Sequence, residues 1–305
     1  MSALRLRARP PFLGHTRRVS SVALSADGAR AVSGSLDRTL RVWNVGGGAC
    51  DAVLAGEKSD VNAVALSPDG RVAVSGSGEM TLEKGLARIW DVATGKPLRD
   101  LEGHEGEVSA VAIDRRRGRV ASGGADDTVR VWDLESGSSR GVLKGHEGWV
   151  RAVAFTPDGR RVVSGGMDGT VRVWDADDGR LVLTLTGHAD KVYAVAASPD
   201  GKRILSGAKN HEVRLWDADS GRCLRVLQGH EGVVRGVAFL PDGRFAVSAA
   251  EDKTLRQWDL TTGRGEGAEP ASGAALCLAV SADGRRVAVG TYDRKVLVWD
   301  VEPSA

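Results

Sequence analysis

The chain has 305 residues, with 42 Lys and Arg against 40 Asp and Glu and a formal net charge of +2, so no strong global field draws it to nucleic acid or a membrane surface. No apolar run approaches the roughly 20 residues of a membrane-crossing helix, and the opening Met1-Ser-Ala-Leu-Arg-Leu-Arg-Ala-Arg lacks the apolar core of a secretory signal. Cys50, Cys223 and Cys277 show no ligand spacing and are odd in number, against a disulfide framework; the expectation is a cytoplasmic protein, and 33 Arg against nine Lys fits a GC-rich bacterial genome.

In chain order, Leu4–Arg9 alternates apolar residues with Arg at a period of two, and Pro10-Pro11 follow. A unit then begins that recurs to the end, clearest at Gly145–Asp175. It runs from Gly145-His146 through Val150–Phe155, the turn Pro157-Asp158-Gly159, Arg161–Ser164, the turn Met167-Asp168-Gly169 and Val171–Trp174 to Asp175. These are three short strands rich in β-branched residues between tight turns. The first strands of successive units are Val19–Leu24, Val61–Leu66, Val108–Ile113, Val150–Phe155, Val192–Ala197, Val233–Phe239 and Ala275–Val280. Turns such as Ala26-Asp27-Gly28 and Pro199-Asp200-Gly201 follow; the third unit has Asp114-Arg-Arg-Arg-Gly118 instead, which reads as a solvated turn. Trp43, Trp90, Trp132, Trp174, Trp216, Trp258 and Trp299 are spaced by 47, 42, 42, 42, 42 and 41 residues, the first interval being long because Gly78–Gly85 carries five extra. His15, His104, His146, His188 and His230, each preceded by Gly, stand 28 residues before their Trp.

A Gly-His near the start and a Trp-Asp at the end of units of this length is the signature of the WD-repeat β-propeller family, which the chain resembles over nearly its whole length. The resemblance implies an all-β fold, a ring of seven four-stranded antiparallel blades around a channel, centred on the seven periodic Trp, and one domain over residues 1–305. The last unit ends soon after Trp299 without a fourth strand. Residues 4–12 are therefore expected to pair with the strand ending at Trp299 and complete the last blade, since an open ring would leave an unpaired edge. Pro10-Pro11 are expected to mark where this pairing stops.

Four units carry His, Ser, Asp and Trp at one spacing: His15, Ser33, Asp37, Trp43; His104, Ser122, Asp126, Trp132; His146, Ser164, Asp168, Trp174; His230, Ser248, Asp252, Trp258. His, Ser and Asp invite a hydrolase reading, but a nucleophile site occurs once in one cleft, and four equivalent copies serve something every unit shares. The resemblance implies a buried hydrogen-bonded tetrad in each blade, to which His188, Ser206 and Trp216 belong with Asn210 in place of Asp. Unit two has Glu57 for His and Glu79 near the Asp position; unit seven has Ala271 and Val289 for His and Ser. The tetrad is in doubt in those two blades, which are expected to be softer or shaped by function. Arg41, Arg88, Arg130, Arg172, Arg214 and Arg256, each two before a Trp, are expected to pack between blades. No metal or cofactor is expected. The periodic His lie in different blades, Asp175-Ala-Asp-Asp-Gly179 departs from a calcium loop, and no phosphate loop occurs.

The resemblance also implies partner docking on the face carrying the Gly-His turns, where three positions per unit project. These are Arg18, Ser20, Leu36; Asp60, Asn62, Gly78; Glu107, Ser109, Ala125; Trp149, Arg151, Met167; Lys191, Tyr193, Lys209; Val233, Arg235, Glu251; and Ala274, Leu276, Tyr292. The one Trp outside the period, Trp149, and both Tyr fall here. Trp149, Arg151, Met167, Lys191, Tyr193, Lys209, Arg235 and Tyr292 make an aromatic and basic sector over blades four to seven, of the residue types enriched in interface hot spots; Asp60, Glu79, Glu83 and Glu107 make the opposite sector acidic. The expected function is a non-catalytic protein-interaction scaffold whose partner offers an acidic or phosphorylated segment. A small-ligand or glycan site at the channel mouth is the alternative. His211 reads as an ordinary turn residue.

Overall fold

The computed structural model describes residues 5–79, 84–114 and 116–302, and for 266–270 the backbone. Leu4, Glu83, Arg115 and most of the five-residue excess in unit two lie outside these. Among the described residues, 28 strands form seven four-stranded antiparallel sheets arranged as a seven-bladed propeller. Six sheets follow chain order. In the seventh, Arg5–Ala8 lies beside Val296–Glu302, followed by Arg286–Thr291 and Ala275–Val280. The innermost strand of each blade packs against that of the next, and Val19–Leu24 of the first against Ala275–Val280 of the last.

The ring is closed by the N-terminal strand, in the register Arg5↔Glu302 to Ala8↔Trp299. The pairing does not stop at the two prolines. The Arg9 amide donates to Val298 O at 2.9 Å, and beyond the prolines the Phe12 amide donates to Val296 O at 2.9 Å. Pro10 and Pro11 occupy the stretch between these bonds, where a missing N–H costs no ladder bond. Phe12 is then buried against Trp43 of the first blade, ring centroids 5.4 Å apart, and Arg9 joins Asp300 of the last blade to the Val45 carbonyl of the first. The segment therefore stitches two blades rather than merely filling an edge.

Blades approach one another through a glycine. The residue after the buried Ser of the second strand, or after Val289 in its place in blade seven, is Gly34, Gly76, Gly123, Gly165, Gly207 or Gly290, and a Cβ on each would come within 2.5–2.8 Å of a Cγ1 of the Val that opens the next inner strand. Blade six breaks the pattern with Ala249, and the facing residue of blade seven is Ala275 rather than Val; the two lie in one buried cluster. A larger residue on one side is matched by a smaller one on the other, as close packing demands.

At the opposite ends of the blades, the Arg opening the second strand latches one blade to the next. Arg30 donates to Gly70 O at 3.1 Å and Arg203 to Gly243 O at 2.8 Å, while Arg119 reaches Gly159 O and Arg286 crosses the ring closure to Gly28 O. The arginines two before a Trp pack on the periodic tryptophans, which themselves bury against the preceding blade. Arg88, Arg130 and Arg214 sit over Trp90, Trp132 and Trp216 of their own blades, at 5.4–5.9 Å from the ring centroids. They cover the Gly at the start of the unit, where a Cβ would meet the guanidinium. In the third-unit turn, Asp114 accepts the amides of Arg116 and Arg117 and the guanidinium of the buried Arg119, while Arg117 is paired with Asp177 at 3.0 Å. Within the run, the Arg117 side chain is thus tied to an acid of the next unit rather than simply solvated.

Candidate functional site

Each inner strand carries a register irregularity between its first and third residues. One residue per blade is thereby left out of the ladder: Ser20, Asn62, Ser109, Arg151, Tyr193, Arg235 and Leu276. A bulge of this kind re-aims the extra side chain, and all seven line the central channel. Every blade thus delivers one unpaired residue to the mouth, from one backbone position and with differing chemistry.

The turns around this mouth are held by the His networks. His15 Nε2 lies 2.8 Å from Ser33 Oγ, and the corresponding distances are 2.7 Å for His104–Ser122, His146–Ser164 and His230–Ser248 and 2.6 Å for His188–Ser206. The Nε1–H groups of Trp43, Trp132, Trp174, Trp216 and Trp258 donate to the same hydroxyls at 2.7–2.8 Å. A carboxylate, like the Asn210 Oδ1, can only accept, so the ring nitrogen that faces it, Nδ1, donates; it lies 2.8–2.9 Å from Asp37, Asp126, Asp168 or Asp252 and 3.3 Å from Asn210. Each hydroxyl accepts the indole N–H and faces Nε2 with its proton and its second lone pair. Burial alone would raise the Asp37 carboxyl, but hydrogen bonds from His15, Thr39 and the Thr16 amide outweigh it and hold it well below the usual range. Without a carboxylate partner, His188 is pushed down to about 4, first by burial and then by Arg214. The five Ser are fully buried and bonded on both sides, an arrangement that presents no nucleophile to a substrate.

In the two departing blades other groups fill the place of the network. In blade two Glu57 takes the His position: Ser75 Oγ donates to it at 2.6 Å and Ser77 Oγ at 2.9 Å, Arg88 stands 3.9 Å away, and Trp90 still donates to Ser75. In blade seven Val289 and Leu297 bury against Trp299 with Ala271 and Leu6, so an apolar cluster replaces the polar one. Asp293 is bonded by Ser272 and Lys295 instead.

Above the mouth, Trp149, Arg151, Met167, Tyr193 and Arg235 share one concavity of about 560 Å³ with Arg17, Arg18, Leu36, Asp60, Glu79 and Glu107. Tyr292, 61% exposed, lines an adjoining hollow with Arg18, Leu36, Leu276 and the same Arg151 and Arg235. Trp149 and Met167 are neighbours, the Met167 amide donating to Trp149 O at 2.8 Å. Lys191 and Lys209 lie outside both hollows; Lys209 Nζ stands 3.4 Å from Asp190. Two guanidinium groups approach the Tyr193 ring, Arg235 at 4.0 Å and Arg151 at 5.8 Å from its centroid.

Charge is not separated into a basic and an acidic sector. Arg151 is paired with Glu107 at 3.2 Å, Arg235 with Glu251 at 2.6 Å, Arg17 with Asp60 at 3.2 Å and Arg38 with Glu79 at 3.0 Å. A half-buried charge without a counter-ion is costly, so Arg17, Arg38 and Arg151 meet acids of a neighbouring blade across a seam, while Arg235 meets Glu251 within blade six. Burial pushes the Glu107 carboxyl up, against the pull of Arg151, and pushes the Arg151 guanidinium down, against the pull of Glu107. Sequence spacing carries no sign of these pairs, because Glu107 and Arg151 are 44 residues apart. Among the described residues no group of three or more His, Cys, Asp or Glu is placed to hold a metal ion, and no helix is long and apolar enough to cross a membrane. Asp175 accepts the amides of Asp177 and Asp178 in a local turn.

Comparison with known proteins gives three matches. The family model described as IFT122 first beta-propeller matches residues 149–305, and that described as WD domain, G-beta repeat matches 9–44, 48–91 and 95–133. Autophagy-related protein 16 of Arabidopsis thaliana is 28% identical over 123 residues, 40% of this chain and 23% of that protein's length.

Proposed function

This chain belongs to the WD-repeat β-propeller family, and on that premise we propose that it is a non-catalytic platform, within the cytoplasm, that holds an acidic or phosphorylated segment of another protein over blades four to seven. Propellers of this family generally mediate protein–protein interaction and are typically not catalytic. The observation that carries the proposal is the ring of bulged residues. The fold repeats its core seven times, yet the residues aimed at the mouth run Ser20, Asn62, Ser109, Arg151, Tyr193, Arg235 and Leu276. Residues that only build blades would repeat with them, so the unrepeated row is where recognition belongs. Trp149, Met167 and the exposed Tyr292 add a partly apolar rim of hot-spot types. Free thiols at Cys50, Cys223 and Cys277 suit a reducing compartment.

The test is a photo-crosslinking amino acid placed at Trp149, at Tyr292 and, as a control on the opposite face, at Asp242, with adducts identified by mass spectrometry. Adducts formed from the first two positions and lost in Trp149→Ala or Tyr292→Ala backgrounds support the reading. Equal yields from Asp242 would sink it.

A further inference from the structure

Three guanidinium groups, Arg18, Arg151 and Arg235, line the hollow beneath Tyr292. Two have their own carboxylates, Glu107 and Glu251. Arg18 forms no ion pair among the described residues; its guanidinium stands 6.0 Å over the Tyr292 ring, and its exposed side chain rises from a backbone tied to the next turn through its carbonyl, which accepts the Leu36 amide at 3.2 Å. With the other two pairs cancelled, the hollow keeps one excess positive charge, at Arg18. Around it lie the apolar Leu36 and Leu276 and the face of Tyr292.

We propose that the segment docking here presents a single unmodified Asp or Glu side chain to Arg18, beside an apolar residue resting on Tyr292, Leu276 and Leu36, so that recognition is centred on the seam between blades seven and one. This rests on the docking reading above, narrows its ligand and extends its footprint from blade seven onto blade one. A planar guanidinium grips one carboxylate through two parallel hydrogen bonds. A dianionic phosphate would need a second free cation, and Arg151 and Arg235 are already engaged. The partner's carboxylate completes the alternation of charge around the mouth, each arginine then facing one acid.

The test uses the full chain and random seven-residue peptides displayed on phage, selected on the native protein, Arg18→Ala, Arg18→Lys, Trp149→Ala and Tyr292→Ala. Arg18 is exposed and outside every blade network, so Arg18→Ala should melt with the parent. Peptides won on the native protein should share an Asp or Glu next to an apolar residue, and this preference should vanish on Arg18→Ala. A synthetic peptide from that pool should bind Arg18→Ala roughly 10- to 100-fold more weakly, as for loss of a charged hydrogen bond, and Arg18→Lys to an intermediate degree. Its phosphoserine counterpart should bind no better than the acid. A pool that depends on Trp149 or Tyr292 but lacks an acid preference, keeps it on Arg18→Ala, or favours phosphoserine more than tenfold overturns the carboxylate proposal and leaves upper-face docking standing. Native protein that wins no peptides, or only peptides indifferent to Trp149 and Tyr292, overturns both.

Discussion

The packing between blades four and five offers a quantitative test of how the ring is built. A methyl on Gly165 would lie 2.6 Å from Val192 Cγ1 and 3.0 Å from Val195 Cγ1, well inside the roughly 3.5–4.0 Å of favourable carbon contact. Gly165→Ala should therefore cost about 1–3 kcal/mol through overpacking, offset by up to about 1 kcal/mol because alanine restricts the unfolded chain. Val192 is fully buried, and Val192→Ala removes two methyl groups at about 0.8 kcal/mol each plus a cavity contribution, about 2 kcal/mol together. In the double variant the new methyl enters the space the valine has left, so the pair should be about 1–2 kcal/mol more stable than the sum of the single effects. Urea unfolding followed by tryptophan fluorescence and by circular dichroism measures the cycle, with coincident transitions required before free energies are compared. The blade six–seven interface already holds the double variant's chemistry in Ala249 and Ala275, so Ala275→Val, which makes that blade like the other six, should destabilise. Additivity within about 0.5 kcal/mol, or a harmless Ala275→Val, would refute the reasoning.

Phe12→Ala should cost about 3–5 kcal/mol, since Phe12 is buried against Trp43 and bridges to Val296; removal of residues 1–12 should cost more, and melting within a few degrees of the parent would show that the ends do not hold the ring. His188 titrates at about 4 in the native protein and near 6.5 when unfolded. Between those values only the unfolded chain carries the proton, so stability falls as pH drops from about 6.5 to 4, by roughly 3 kcal/mol at most. Urea midpoints taken across that range, in the parent and His188→Gln, should show the slope and its reduction. Lys253 and His211 hold left-handed backbone at φ 66°, where blade four has Gly169 at 76°. Lys253→Gly and His211→Gly should each stabilise by about 0.5 kcal/mol, the relief of the left-handed penalty less the greater flexibility of glycine, and a lower melting temperature for both would contradict this.

The ring and its seven blades were legible because Trp is scarce and recurs at one position in all seven units, with a Gly-His 28 residues before it in five of them. The mouth positions were legible as an offset from the first Val of each inner strand. Their cause was not: the bulge that frees Arg151 or Tyr193 from the ladder falls on residues as different as Ser20 and Leu276, with no glycine to announce it. The pairing of Arg151 with Glu107 depends on which blades adjoin, which only the closed ring supplies; that of Arg235 with Glu251, 16 residues on in the same blade, follows from the bulge that frees Arg235 from the ladder. Substitutions misled in the same way. Glu57 looked like the loss of a network, yet Ser77 and Arg88 converge on it; Pro10-Pro11 looked like an end, yet Phe12 resumes the pairing beyond them.

The mouth residues differ in what they cost the fold, and this decides which variants can report on binding. A bulged side chain is outside the ladder, so Ser20, Tyr193 or Leu276 can change without breaking strand pairing. Arg151 is different. Its guanidinium holds Glu107, whose side chain is 10% exposed and whose carboxyl burial already pushes upward. Arg151→Ala leaves that charge without its partner, a change that costs about 3–5 kcal/mol when a buried pair is broken from one side and less here because Arg151 keeps some solvent contact. Weaker partner binding by this variant would therefore confuse recognition with stability. Adding Glu107→Gln removes the stranded charge and should restore most of the lost melting temperature without restoring the guanidinium. If the two substitutions together melt as low as Arg151→Ala alone, Arg151 supports the blade through packing on Tyr193 rather than through its charge, and the electrostatic description of the mouth is wrong.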